Sequence, residues 1–155
     1  MKIDIVERQA VRVACLRYTG PGGEPLGRFW RSTVAPWLAD HGLLDCPRYG
    51  VILDGPARTA SESCCYDACI ELPPGLSLPD AAEIIIRGGR YATTYFKGGG
   101  AQVGSAWDAF GAAVLANPAH RRDDSRPAFE HMPRGALCDA RSGVFCCELC
   151  LPVAG

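Results

Sequence analysis

A chain of 155 residues is the length of one domain, and it also allows an internal duplication. With 48% apolar residues it can bury a packed core, and a formal net charge of -1 removes any bulk attraction to nucleic acid or an anionic membrane. Neither zinc-finger spacing nor a helix-turn-helix pattern is present, so direct nucleic-acid binding is not expected.

The first eighteen residues, MKIDIVERQAVRVACLRY, alternate apolar and charged side chains without a continuous apolar run. They read as mature protein from Met1, with no signal peptide and no membrane span. A cytoplasmic protein with reduced thiols is expected, since nine cysteines, an odd number, argue against a complete disulfide framework. Residues 3–8 and 11–18 are predicted strands, the second ending at the turn-forming Thr19–Gly23. Residues 25–41 carry Leu26, Phe29, Trp30, Val34, Trp37 and Leu38 at helical spacing, and Pro36 predicts a kink or break among them. Strands at 48–53 and 65–72 follow, joined by the polar segment Asp54–Ser63. Pro73 through Pro79 reads as a linker. Beyond it come a strand at 83–96 with a bend or bulge at Gly88-Gly89, a helix at 102–116 and a loop at 117–126. The chain closes with a strand at 127–132, a loop at 133–142 and a strand at 143–151.

The two halves repeat one another. RVACLRYTGPGG at 12–23 aligns with RYATTYFKGGGA at 90–101, and a tryptophan follows each glycine cluster, Trp30 or Trp107. PRYGVI at 47–52 aligns with PAFEHM at 127–132, and YDACIELP at 66–73 with FCCELCLP at 145–152. Three matches in one order at an offset of 78 to 80 residues point to duplication. The expected fold is α+β, with tandem strand-helix-strand-strand repeats about a pseudo-twofold axis, antiparallel sheets and a central cleft. One domain spans 1–155, with repeat one at 1–73, a linker at 74–82 and repeat two at 83–153. Clefts between modules are common ligand sites.

The duplication isolates one residue. Where the first half has Gly50, the second has Glu130. Strand alternation puts Ala128, Glu130 and Met132 on one face, with Phe129 and His131 on the other. Glu130 either points to solvent from an edge strand or lines the cleft. In the cleft, burial would raise its pKa and leave it either partner to an organic cation or general base for water. Trp107 and Trp30 are read as core packing or as aromatic walls flanking the cleft, with Trp107 favoured as a wall because its half carries Glu130. Tyr66 is placed at the cleft or in the half-buried core.

Cys147 and Cys150 form a C-x-x-C, but strand alternation sends them to opposite faces where zinc needs a tight turn. No metal and no cofactor is expected, and the cysteines read as small buried side chains. His41, His120 and His131 have no metal-like spacing, and Gly98–Gly100 lacks the Lys and Ser/Thr of a phosphate loop.

In order along the chain stand Gly20-Pro21, Asp54-Gly55-Pro56, Tyr66–Cys69, Gly88–Ala92, Pro127–Glu130 and Leu151–Val153. This ordered set resembles the GyrI-like family, also called the AraC-type effector-binding domain. The resemblance implies tandem repeats that hold hydrophobic, often cationic, compounds in a cleft with a buried glutamate, here Glu130. It further implies Trp107, Trp30, Tyr66 and Met132 as cleft walls. The family often carries tyrosine where this chain has Met132, which keeps apolar contact and removes a hydroxyl. Members occur fused to DNA-binding domains as drug-sensing regulators, for which these 155 residues leave no room, or alone. Three functions are implied. The first is a standalone binder of hydrophobic or cationic small molecules. The second is a hydrolase of cyclopropane-bearing electrophiles with Glu130 as its base. The third is a protein-binding modulator such as a gyrase inhibitor, with a protein partner at its surface.

Overall fold

A computed structural model describes residues 1–53, 63–136, 138–139 and 141–154. The Asp54-Gly55-Pro56 motif lies outside the described residues. The first half contains β1 (Asp4–Arg8), β2 (Val11–Pro21), a continuous helical run, β3 (Arg48–Ile52) and β4 (Ser63–Glu71). The second contains β5 (Ala82–Ile86), β6 (Gly89–Gly98), α3 (Gly100–Leu115), β7 (Ala128–Met132) and β8 (Phe145–Pro152). The helical run of the first half is α1 (Glu24–Phe29), a π-helical turn (Trp30–Val34) and α2 (Ala35–Asp40).

The α+β fold class expected from the sequence is the one observed, with two local differences. The predicted strand at 83–96 is two strands, broken at Arg87-Gly88, with Gly89 at φ 136°. Pro36 does not end the helical run, which continues to Asp40 after a change of type just before the proline. It sits in the first turn of α2, and the wide turn before it absorbs the lost hydrogen bond, with the Ala35 N–H donating to the Trp30 carbonyl five residues back. That turn is also where Trp30 leaves the helix toward the sheet.

All eight strands pair antiparallel in one continuous sheet, in the order β1-β6-β8-β7-β3-β4-β2-β5. The halves join at the centre through β3 and β7, where Arg48 pairs with Met132, Gly50 with Glu130 and Ile52 with Ala128. Each half gives up an edge strand to the other: β1 flanks β6, and β5 flanks β2. Only Gln9 and Ala10 separate β1 from β2, although these strands stand first and seventh in the sheet. In a flat sheet they would be about 29 Å apart, whereas the link reaches about 10 Å. The sheet therefore curls until its two margins approach.

The curl explains the burial. On the helical face, Trp107, Phe110 and Val114 of α3 cover Ala92, Leu149 and Leu151, while Val34 and Leu38 cover Ala14, Ala68 and Ile70. No helix packs on the opposite face among the described residues. Tyr49, Val51, Tyr91 and Phe129 are nonetheless buried there, against Val6 of β1 and Ile84 of β5 brought in from the two margins. The two short links cross at Gly88, where a Cβ would lie 2.7 Å from the Arg8 carbonyl oxygen and 2.8 Å from the Ala10 nitrogen. Those neighbours are backbone and cannot swing aside. Gly88→Ala is accordingly expected to cost about 1–3 kcal/mol of stability in urea denaturation, and an unchanged midpoint would refute the crossing.

Among the described residues no helix is long and apolar enough to cross a membrane, and no group of three or more His, Cys, Asp or Glu is arranged to hold a metal. Alternation along β8 turns Cys147 toward the helices and Cys150 to the other face. Burial pushes the Cys150 thiol up to about 12, which leaves it protonated and unreactive at neutral pH.

Candidate ligand-binding site

β7 is a short central strand with an apolar residue on each side of its glutamate. Its alternation turns Ala128, Glu130 and Met132 toward the helices, and Phe129 toward the opposite core. There Glu130 borders a cavity of about 500 Å³ formed between the halves. That volume lies within the range of small-molecule sites. The first half contributes Leu26, Trp30, Arg31, Arg48 and Tyr66 to the lining, and the second contributes Val103, Glu130, Met132 and Phe145.

Glu130 is 7% exposed, yet it has hydrogen-bond donors on both oxygens. The Tyr66 hydroxyl donates to Oε1 at 3.0 Å, and the Trp107 indole N–H donates to Oε2 at 3.0 Å. Trp30 completes the chain by donating its indole N–H to the Tyr66 oxygen at 3.2 Å, its ring edge-on to the phenol at 6.2 Å. Four residues singled out in the sequence, from the helices of both halves and from β4 and β7, thus meet in one network.

Its electrostatics are those of a buried carboxylate with no counter-ion among the described residues. Among the described residues no Lys or Arg pairs with Glu130. Burial raises its pKa, and the bonds from Trp107 and Tyr66 pull it partly back. Burial, and then the Glu130 charge, holds the Tyr66 hydroxyl well above the ordinary tyrosine range, so Tyr66 stays a donor. The neighbouring Cys147 thiol is raised by burial and by the same charge.

The walls differ from the sequence picture in one respect. Trp30, Tyr66 and Met132 line the cavity, whereas Trp107 lies outside the lining. Trp107 is 4% exposed, packs beside Phe110 and holds the carboxylate from behind. Arg31 and Arg48, which carried no signal in the sequence, also reach the cavity. Arg31 is engaged by Glu24 at 2.8 Å, and Arg48 donates to the Leu44 carbonyl at 3.2 Å.

A family model for the GyrI-like small molecule binding domain matches residues 1–154. The chain belongs to that family. Solved structures share the fold of this GyrI-like domain at low identity. SAV2435 bound to tetraphenylphosphonium is 16% identical with a TM-score of 0.67, covering 100% of this chain and 95% of its own. The EcmrR C-terminal domain is 12% identical with a TM-score of 0.71, covering 99% and 97%. The integron cassette protein VCH_CASS2, from the mobile metagenome of Vibrio cholerae, is 18% identical with a TM-score of 0.61, covering 98% and 95%. No curated protein sequence matches the chain. As a GyrI-like domain, it is a small-molecule-binding module.

Proposed function

We propose that this GyrI-like domain binds hydrophobic organic cations, with Glu130 as the charge partner and Trp30, Tyr66 and Met132 as the apolar contact surface. The observation that carries the reading is a carboxylate at a cavity wall, nine-tenths buried, served by neutral donors and, among the described residues, by no cation. Desolvating an anion this far costs several kcal/mol. A cation entering the cavity would return that energy as direct attraction in a low-dielectric setting, while a neutral ligand would not. Trp30 would add cation–π attraction of about 0.5–2 kcal/mol. Both carboxylate oxygens already hold a donor, which stabilises the anion and blunts it as a base. Binding is therefore favoured over water activation.

Tetraphenylphosphonium, the ligand of SAV2435 in its structure, is a suitable probe because its charge is shielded and permanent. Its affinity, followed by tryptophan fluorescence, is expected to depend on pH chiefly through Glu130, since Glu24, Asp45 and Asp139 also line the cavity but are not buried as Glu130 is. Burial raises the carboxyl pKa, so acidification protonates the group early. Affinity is then expected to fall by up to about tenfold per pH unit below that titration. A flat profile down to pH 4, with full affinity retained, would exclude Glu130 as the counter-charge.

A further inference from the structure

Gly50 holds the place in β3 that Glu130 holds in β7, and the two are direct partners across the strand pair. No side chain fits at Gly50. A Cβ there would overlap Oη and Cζ of Tyr66 and stand 3.0 Å from Glu130 Oε1. Backbone freedom is not the reason for glycine here, because Gly50 is not among the glycines with positive φ. The requirement is for space.

We propose that Gly50 is a positioning residue of the site, its bare backbone being the gap through which the Tyr66 hydroxyl reaches Glu130. The pseudo-twofold arrangement sets the two equivalent positions face to face. One supplies the acid, and the other must be empty so that a phenol from the adjacent strand β4 can cross to it. Trp30 fixes the phenol from its other side. The asymmetry of the duplication is then a matched pair of differences rather than the gain of one glutamate.

The chemical consequence runs through the Tyr66 bond, which draws the carboxyl downward against burial. The other groups bearing on the carboxylate are Trp107 of α3 and the thiols of Cys147 and Cys150 on β8, while Arg31, Arg48, Glu24, Asp45 and Asp139 line the same cavity. None of them lies in the path of a Cβ at Gly50. A methyl group at Gly50 would overlap the phenol and only abut Glu130 Oε1, so its main effect would be to displace Tyr66, leave Glu130 with a single donor, and move its titration to higher pH.

The experiment follows the Glu130 carboxyl by carbon-13 NMR and, in parallel, binds tetraphenylphosphonium. It uses wild type, Gly50→Ala, Tyr66→Phe, Tyr66→Leu and the double variant Gly50→Ala/Tyr66→Leu. Gly50→Ala and Tyr66→Phe should both move the titration upward, and the pH below which probe affinity falls should move up with it. In the Tyr66→Leu background, Gly50→Ala should change both quantities far less, since the group it overlaps is gone and only the marginal contact with Glu130 Oε1 remains. A Gly50→Ala protein with wild-type titration would overturn the inference. So would an equal effect of Gly50→Ala with and without Tyr66. If Gly50→Ala alone fails to fold, a folded double variant that titrates like Tyr66→Leu supports the inference, and an unfolded one overturns it. The ligand arm rests on Glu130 as the cation partner and the titration arm does not. Absence of probe binding to wild type would therefore remove the proposed function and leave Gly50 still under test.

Discussion

Glu130→Gln is expected to weaken tetraphenylphosphonium binding by about 30-fold or more and, at the same time, to make the unliganded domain more stable at neutral pH. The loss of affinity follows from removing the buried partner of a cation, for which about 2–5 kcal/mol is usual. The gain in stability has the opposite sign for the same physical reason. Burial raises the carboxyl pKa in the folded protein, so the native state holds its proton more tightly than the unfolded chain does. Stability contributed by this group is present below the ordinary glutamate pKa and is lost as pH rises through the higher folded value. Glutamine never ionises, and its amide can accept from Trp107 while donating to Tyr66. The melting temperature of Glu130→Gln should exceed that of wild type at pH 7, and the two should converge near about pH 4. Calorimetry at the two pH values, together with one binding titration, checks both halves. Probe affinity equal to wild type in a folded Glu130→Gln protein would sink the proposed function.

The second large effect is expected at Arg126, where the loss is one of stability. This guanidinium is 8% exposed. It pairs with Asp123 at 3.0 Å, donates to the carbonyls of Arg90 and Val153 at 3.1 Å, and lies 4.6 Å above the Tyr91 ring. It thereby ties β6 to the end of the chain beside the link between β5 and β6, and a Cβ on Gly89 would lie 2.5 Å from its Nη1. Truncation would remove the donor to Asp123 Oδ2 and the side-chain donors to the Val153 and Arg90 carbonyls, the latter keeping only the Val153 N–H. The Asp123 carboxyl is held near 2, chiefly by the Ser125 hydroxyl and N–H and then by Arg126, so it stays ionised through the working pH range. Arg126→Ala is expected to cost about 3 kcal/mol, a drop in melting temperature on the order of 10 °C. The exposed pair of Arg122 and Asp124, at 3.6 Å, provides the control. Arg122→Ala should leave the midpoint nearly unchanged. A loss below about 1 kcal/mol in Arg126→Ala would show that the guanidinium is not a tie.

Much of this was legible in the sequence because the duplication carries its own internal reference. The match of Tyr18 and Gly20 with Phe96 and Gly98 reflects a shared contact. In each half the aromatic ring lies over the glycine two residues on, and a Cβ would meet Tyr18 Oη at 2.9 Å or Phe96 Cζ at 2.8 Å. Strand alternation was enough to put Glu130 and Phe129 on opposite faces, but not to say whether the face of Glu130 met solvent or the cleft. What alternation does not contain is register between distant strands. That Gly50 faces Glu130, and that Tyr66 reaches across it, depends on β3 pairing with β7, a contact between residues eighty apart. Trp107 was placed on the right element, but helix periodicity alone does not separate a residue at the cavity surface from one a layer behind it. Pro36 marked the right place but not the form of the irregularity, which is a widened π-helical turn before the proline and not an end to the helical run. Arg126 left no trace, since an arginine in a polar loop before a strand looks solvated until the chain terminus closes over it.

The exchange of β1 and β5 has a consequence for synthesis. As the chain leaves the ribosome, the outer margin of β2 has no neighbour until residues 82–86 emerge, and β1 has none until β6 follows. The amino-terminal half thus cannot complete itself while it waits, and its unpaired backbone is open to wrong partners during that interval. β1 is made well before the strand that seats it, and each half is completed only by a strand of the other.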